Sequence, residues 1–224
     1  MNVRWQPLRR ALAGICIGAA ALAGPVASAS AAEMPFTTHA TFYSKETKKA
    51  TAVDPQVFVA DPAATASAGP QNIEHVAGFR AARLEDAPES VASNAQGASL
   101  GFTLGKWFAA RGSADIATLA AGNDRITFSF SRLIAFGRYS LFEVTLSPDG
   151  ATFAPLDGEG TQNNFDAAVD GNATVAVTVP HHLAVGSAIV LVYHSDDLDH
   201  ASSRGEIGLT AHQQLALRVE QNSI

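Results

Sequence analysis

Cysteine is nearly missing from this chain of 224 residues: the single one, Cys16, lies inside an apolar run close to the N-terminus. No thiol follows it, so downstream there is no cysteine nucleophile, no disulfide, and no cysteine-ligated zinc or iron–sulfur cluster. Aromatic residues are also scarce at 8%, too few for an aromatic-lined glycan groove. Of the two tryptophans only Trp107 follows the apolar run, and a lone tryptophan reads as core rather than as a sugar platform. Basic charge is thin. The formal net charge is −6, and the one basic cluster, Lys45, Lys48 and Lys49, is interrupted by Glu46. Such a distribution offers no footprint for nucleic acid or for anionic lipid. A glycine-rich phosphate loop, a nucleophile elbow of the G-x-S-x-G type and a repeat of 20–50 residues are absent as well.

What is present begins at the N-terminus. Met1 to Arg10 carries Arg4, Arg9 and Arg10, and Ala11 to Val26 is apolar. Ala27-Ser28-Ala29 and Ala29-Ser30-Ala31 then each offer the small-x-small pattern of a cleavage site. The expectation is a cleaved secretory signal helix over residues 1–31, taking the general route to a periplasmic or extracellular destination. Ile15 precedes Cys16 and apolar residues follow it, which argues against lipidation. With the three arginines removed, and no acidic residue before Glu33, 12 basic residues face 21 acidic ones, a net −9. No membrane segment is expected after cleavage.

Residues 32–96 are rich in Ala, Ser, Thr, Pro and Asp and read as an N-terminal segment of short strands and loops, part of the following domain or appended to it. Short candidate elements are 40–44 and 56–60. A helix is expected over 73–84, with Ile73, Val76, Ala77, Ala81 and Leu84 near one face. From Gly97 to the end the pattern is that of a β core. Residues 125–131 alternate strictly, with Ile126, Phe128 and Phe130 on one face, and 113–119 supply a hairpin partner. Further strands are expected at 139–146, with Phe142, Val144 and Leu146 inward, and at 174–179. The apolar run 187–194 reads as a central strand buried on both faces, and 213–220 as an alternating one. Strands of six to eight residues between Gly, Asn, Asp and Pro turns predict an all-β fold, an antiparallel Greek-key-like sandwich or barrel.

Leu133-Ile-Ala-Phe-Gly-Arg-Tyr-Ser-Leu-Phe142 resembles the corner of copper/zinc superoxide dismutase-like sandwiches. The strand after the glycine carries copper-ligating histidines in those enzymes. Here it reads Arg138-Tyr139-Ser140-Leu141-Phe142-Glu143, so the resemblance implies the sandwich and transfers no copper ligand. A second resemblance covers about the last 120 residues, through Gly105-Lys-Trp107, the Tyr139-Ser-Leu-Phe142 corner, Phe153-Ala-Pro-Leu-Asp-Gly158, Val192-Tyr-His-Ser-Asp196 and Ala211-His212. It is to a family of uncharacterised exported bacterial proteins and implies no activity.

The candidate chemistry lies in His194-Ser-Asp-Asp-Leu-Asp-His200, directly after the apolar strand, with His212 one short segment later. Imidazole and carboxylate suit zinc, copper, manganese or iron. His194 and Asp196, two residues apart at a strand end, are expected to point the same way. His200 then folds back over the loop and His212 joins from the next strand, making His194, Asp196, His200 and His212 the candidate metal ligands. His181 and His182 are placed on the same rim. The competing reading is a polar aspartate turn with histidines bonded to backbone. Asp196, Asp197 and Asp199 lack the spacing of a calcium loop, and Ser195 beside His194 is not a dyad by adjacency. No catalytic residue and no particular cofactor emerges. The favoured expectation is a non-enzymatic domain that binds a ligand or partner, and the alternative is a metal carrier or metal-dependent oxidoreductase-like enzyme.

Overall fold

The computed structural model describes residues 33–119, 122–147 and 150–220. The expected signal helix lies outside the described residues. In chain order the elements are β1 (Met34–Pro35), β2 (Thr37–Thr38), α1 (His39–Glu46), β3 (Val53–Ala60), β4 (Ser67–Ala68), a 3₁₀ turn (Pro70–Asn72), β5 (Glu74–His75), β6 (Phe79–Arg83), β7 (Val91–Ser93), β8 (Ser99–Thr103) and α2 (Leu104–Ala109). The second half holds β9 (Arg111–Thr118), β10 (Asp124–Ser131), β11 (Arg138–Ser147), β12 (Gly150–Pro155), β13 (Asn164–Asp166), β14 (Ala173–Val179), β15 (Ala188–His194) and β16 (Ala211–Arg218).

The fold is mostly β and its sheets are antiparallel. One sheet runs β1-β9-β10-β14. A larger one runs β12-β11-β15-β16-β2, with β13 added to β11. Both are open, so the expected alternative of a barrel is not met. A third sheet, β6-β3-β7-β8, comes from the N-terminal segment, which also contributes the β4-β5 pair. In β10 the predicted alternation holds: Ile126, Phe128 and Phe130 are buried, and the residues between them are exposed. They meet Leu141, Ile189, Leu191 and Leu215 of the larger sheet in one core cluster, so the two sheets face each other. Val57, Val59, Ala82 and Ala92 belong to that same cluster, which places the segment before Gly97 on the core. Trp107 is 1% exposed and donates from Nε1 to Asp54 at 2.8 Å, a core residue as its solitude suggested.

Strand β15 is buried throughout, as its uninterrupted apolar run predicted. Ile189, Leu191 and Tyr193 face the main core. Ala188, Val190 and Val192 face the other way, into a second cluster with Phe142, Val144 and Ala216. This second face of the large sheet is covered partly by Phe42 of α1 and Phe153 of β12. It positions the functional candidates.

Three expectations are corrected. Residues 73–84 form β5 and β6, not a helix: Gly78 sits at φ +81, and Val76 and Leu84, on the supposed apolar face, are 40% and 45% exposed. Residues 40–44 belong to α1, capped by Thr38 Oγ1, which accepts from Thr41 N at 3.3 Å. Leu146 is exposed, because the last three residues of β11 run past the edge of the core. Among the described residues no helix is long and apolar enough to cross a membrane.

Candidate metal centre

Strand β15 ends at His194, which by alternation shares the second face with Val190 and Val192. The chain then leaves the sheet. Ser195 N donates to Thr210 O at 2.8 Å, and Asp197 and Ala201 adopt left-handed φ values of 56° and 49°. Two aspartate turns tighten the loop: Asp196 Oδ1 accepts from Leu198 N at 3.2 Å, and Asp199 Oδ1 accepts from Ala201 N at 2.8 Å. The curl brings the His200 ring over that of His194, with centroids 4.9 Å apart and planes at 31°. Asp196 therefore reaches the group through a turn, not through the continued strand the two-residue spacing suggested.

One ligand atom from each of His194, Asp196 and His200 lies within 4.8 Å of the other two, the one such group among the described residues. His200 Nε2 is 3.0 Å from Asp196 Oδ2. His194 is fully buried, and its Nε2 lies 2.6 Å from Ser140 Oγ on the neighbouring β11. Its Nδ1 is buried without any hydrogen-bond partner. Burial, reinforced by the nearby His200, pushes the His194 pKa down to about 4, so this imidazole is neutral at neutral pH. Neutral imidazole is the form that ligates metals. Two nitrogens or oxygens about 2.1 Å from one ion stand at most about 4.2 Å apart, a limit the Asp196–His200 pair already meets at 3.0 Å. Asp196 and His200, with side chains 23% and 22% exposed on the loop, are the members able to move.

His212 does not join them. It pairs in register with Tyr193, and Ala211 pairs with His194, so His212 takes the opposite face of the sheet. There Nδ1–H donates to Gln56 O at 2.8 Å, Ser195 Oγ lies 3.3 Å from Nε2, and the ring meets Trp107 edge-on. His181 and His182 are also placed elsewhere. His181 Nε2 is 2.7 Å from Glu143 Oε2, and His182 Nδ1 is 2.8 Å from buried Asp124 Oδ1. Glu143 is five residues along β11 from Arg138, the partner of His194, which is about 17 Å at strand rise. Asp197 and Asp199 stay exposed outside the group.

Ser140 and Gly160 were not singled out by the sequence. Ser140 fixes one nitrogen of His194 from 54 residues away, a long-range pairing with no local signature. Gly160 lies against the backbone of Ala201 and Ser202, behind the loop that carries His200. Compared with protein-family models, curated proteins and solved structures, the chain matches none, so the site is interpreted through its own chemistry.

Proposed function

We propose that this is an exported metal-binding protein on a Greek-key-like sandwich, holding one zinc-like ion through His194, Asp196 and His200. The observation that carries the reading is the buried, unpartnered Nδ1 of His194. With Nε2–H donating to Ser140, the free lone pair belongs to Nδ1, and a hydrogen-bond acceptor behind a ligating imidazole fixes its tautomer, a part the Ser140 hydroxyl takes here. A buried acceptor left without a partner is costly, and a cation ligand removes that cost. Two imidazoles and one carboxylate suit zinc first, with copper, iron and manganese behind it. Three protein ligands leave a coordination position for water or a small ligand. No side chain is assigned a catalytic step.

Export is supported by the basic and apolar N-terminus and by the absence of cysteine after Cys16. Both small-x-small sites end before Glu33, upstream of every described strand, so cleavage at either removes no part of the sheets.

The test is metal content by mass spectrometry of purified protein, with titration calorimetry after chelation. About one equivalent of zinc is expected, with affinity falling at least 100-fold in His194→Ala and in His200→Ala, the latter on an exposed loop that does not support the core. His181→Ala is expected to bind as the parent does. Absence of binding after incubation with zinc, copper and manganese, or binding by both variants as tight as the parent's, overturns the proposal.

A further inference from the structure

Further along the same face of the large sheet lies a cavity of about 460 Å³, within the range of small-molecule sites. Phe42 of α1, Val144 of β11, Phe153 of β12 and Val190 of β15 give it an apolar wall. Polar side chains line it too, and two of them, Gln213 and His39, are buried. Gln213 is 3% exposed and its Nε2 has no hydrogen-bond partner. His39 is 2% exposed and its Nδ1 has none either, the closest acidic oxygen being Asp54 Oδ1 at 3.8 Å. Buried amide and imidazole nitrogens are paired in almost all folded proteins, because each unmade bond costs about 1–3 kcal/mol. The His39 nitrogen faces Asp54, whereas Gln213 leaves a buried, unpaired donor in the wall of an apolar cavity, which is what a preformed site for a polar-headed ligand looks like.

The charge of the ligand follows from the same wall. Among the described lining residues there is no Lys or Arg to receive a carboxylate or phosphate. Glu46 is the charged residue at the cavity, and it is tied to Arg218. Behind His39 stands buried Asp54. An anionic head would meet like charge and lose its hydration without compensation. We infer that the cavity between α1, β12 and the second face of the large sheet binds an uncharged, largely apolar small molecule, whose carbonyl oxygen accepts a hydrogen bond from Gln213 Nε2. Gln213 lies in register with Val192 of β15, which holds its amide on the cavity side and not on the main-core side. The inference does not depend on the metal group, which lies beyond Val192 at the end of the strand.

The probe is Prodan, an uncharged naphthyl ketone whose emission reports both apolar surroundings and hydrogen bonding to its carbonyl. Titration into chelator-treated protein is expected to give saturable, blue-shifted emission at one probe per chain. Ala151→Trp places a large ring at the mouth from an exposed position and is expected to weaken binding at least tenfold. Gln213→Leu is expected to weaken it about tenfold and move the bound emission further to the blue, because the carbonyl loses its donor. 2-Naphthoate, similar in shape but anionic, is expected not to compete. Lack of saturable binding, or binding unchanged in Ala151→Trp, overturns the site. Equal competition by 2-naphthoate overturns the assignment of an uncharged ligand.

Discussion

His194 and His212 are both fully buried, on opposite faces of neighbouring strands, yet their nitrogens are used differently. His194 keeps one nitrogen unpaired, whereas His212 spends Nδ1–H on Gln56 O and has Ser195 beside Nε2. His212 is thus a structural residue, and its titration tests that role. Burial pushes its pKa below the ordinary value, against the pull of Gln56 O and Asp54. The unfolded chain takes up this proton near the ordinary value of about 6.5, and the folded chain takes it up only at lower pH. Stability from neutral His212 is therefore complete above about pH 6.5 and is lost as pH falls, by at most about 2 kcal/mol at pH 5. In chelated protein the fall in urea midpoint from pH 7.5 to pH 5 is expected to be smaller in His212→Gln than in the parent. Equal falls would show that His212 is not the titrating group.

The loop from Ser195 to Gly205 is the element on which the metal reading depends, and a glycine outside it holds its position. Gly160 has φ +80, and an added Cβ would stand 2.4 Å from backbone atoms of Ala201 and Ser202. That backbone cannot turn aside as a side-chain tip can, so Gly160→Ala must push the loop and His200 with it. Gly158 is a matched control: it has the same φ of +80, but its added Cβ would meet Pro180 at 3.0 Å, away from the loop. Each alanine is expected to cost about 1–3 kcal/mol through backbone strain. Only Gly160→Ala is expected to weaken zinc binding as well, about tenfold by calorimetry, and equal affinities in the two variants would refute the coupling. Such contacts between distant segments also mark where sequence reading ran out. The loop itself was legible, because His and Asp crowd into seven residues after an apolar run. The strands β10 and β15 were legible from alternation and from two-sided burial. The face of His212 was not, since it depends on the register of β16 against β15, including a shift between Leu191 and Val192 that leaves Gln214 unpaired. Strand β6 was hidden by its Ala-rich composition, which spaces small residues at helical and strand periods alike.

Across the whole molecule, the first described residues join the two facing sheets. Met34 and Pro35 pair with β9 in the smaller sheet, and Thr37 and Thr38 pair with β16 in the larger one. Between these pairings Phe36 is 6% exposed and sets its ring edge-on to Phe130 at 5.4 Å. A short stretch thus fastens both edges, and Thr38 then caps α1, which roofs the cavity on the second face. This arrangement defines how much of the N-terminus can be removed without loss of the fold. Cleavage after Ala29 or Ala31 leaves every one of these contacts, so a chain starting at Ala32 is expected to unfold at the parent's urea midpoint. A chain starting at His39 loses Met34 and Phe36, each about 2–3 kcal/mol of burial, together with the cap on α1. The combined loss, about 5–7 kcal/mol, is comparable to the whole stability of an ordinary domain. Expression of the two truncations, with urea unfolding followed by Trp107 fluorescence, separates the cases. If the shorter chain unfolds at the midpoint of the longer one, the segment is not a fastener. If it is largely unfolded without denaturant while the longer chain is intact, the limit of tolerated cleavage lies between Ala32 and His39, downstream of the last small-x-small site at Ala29-Ser30-Ala31.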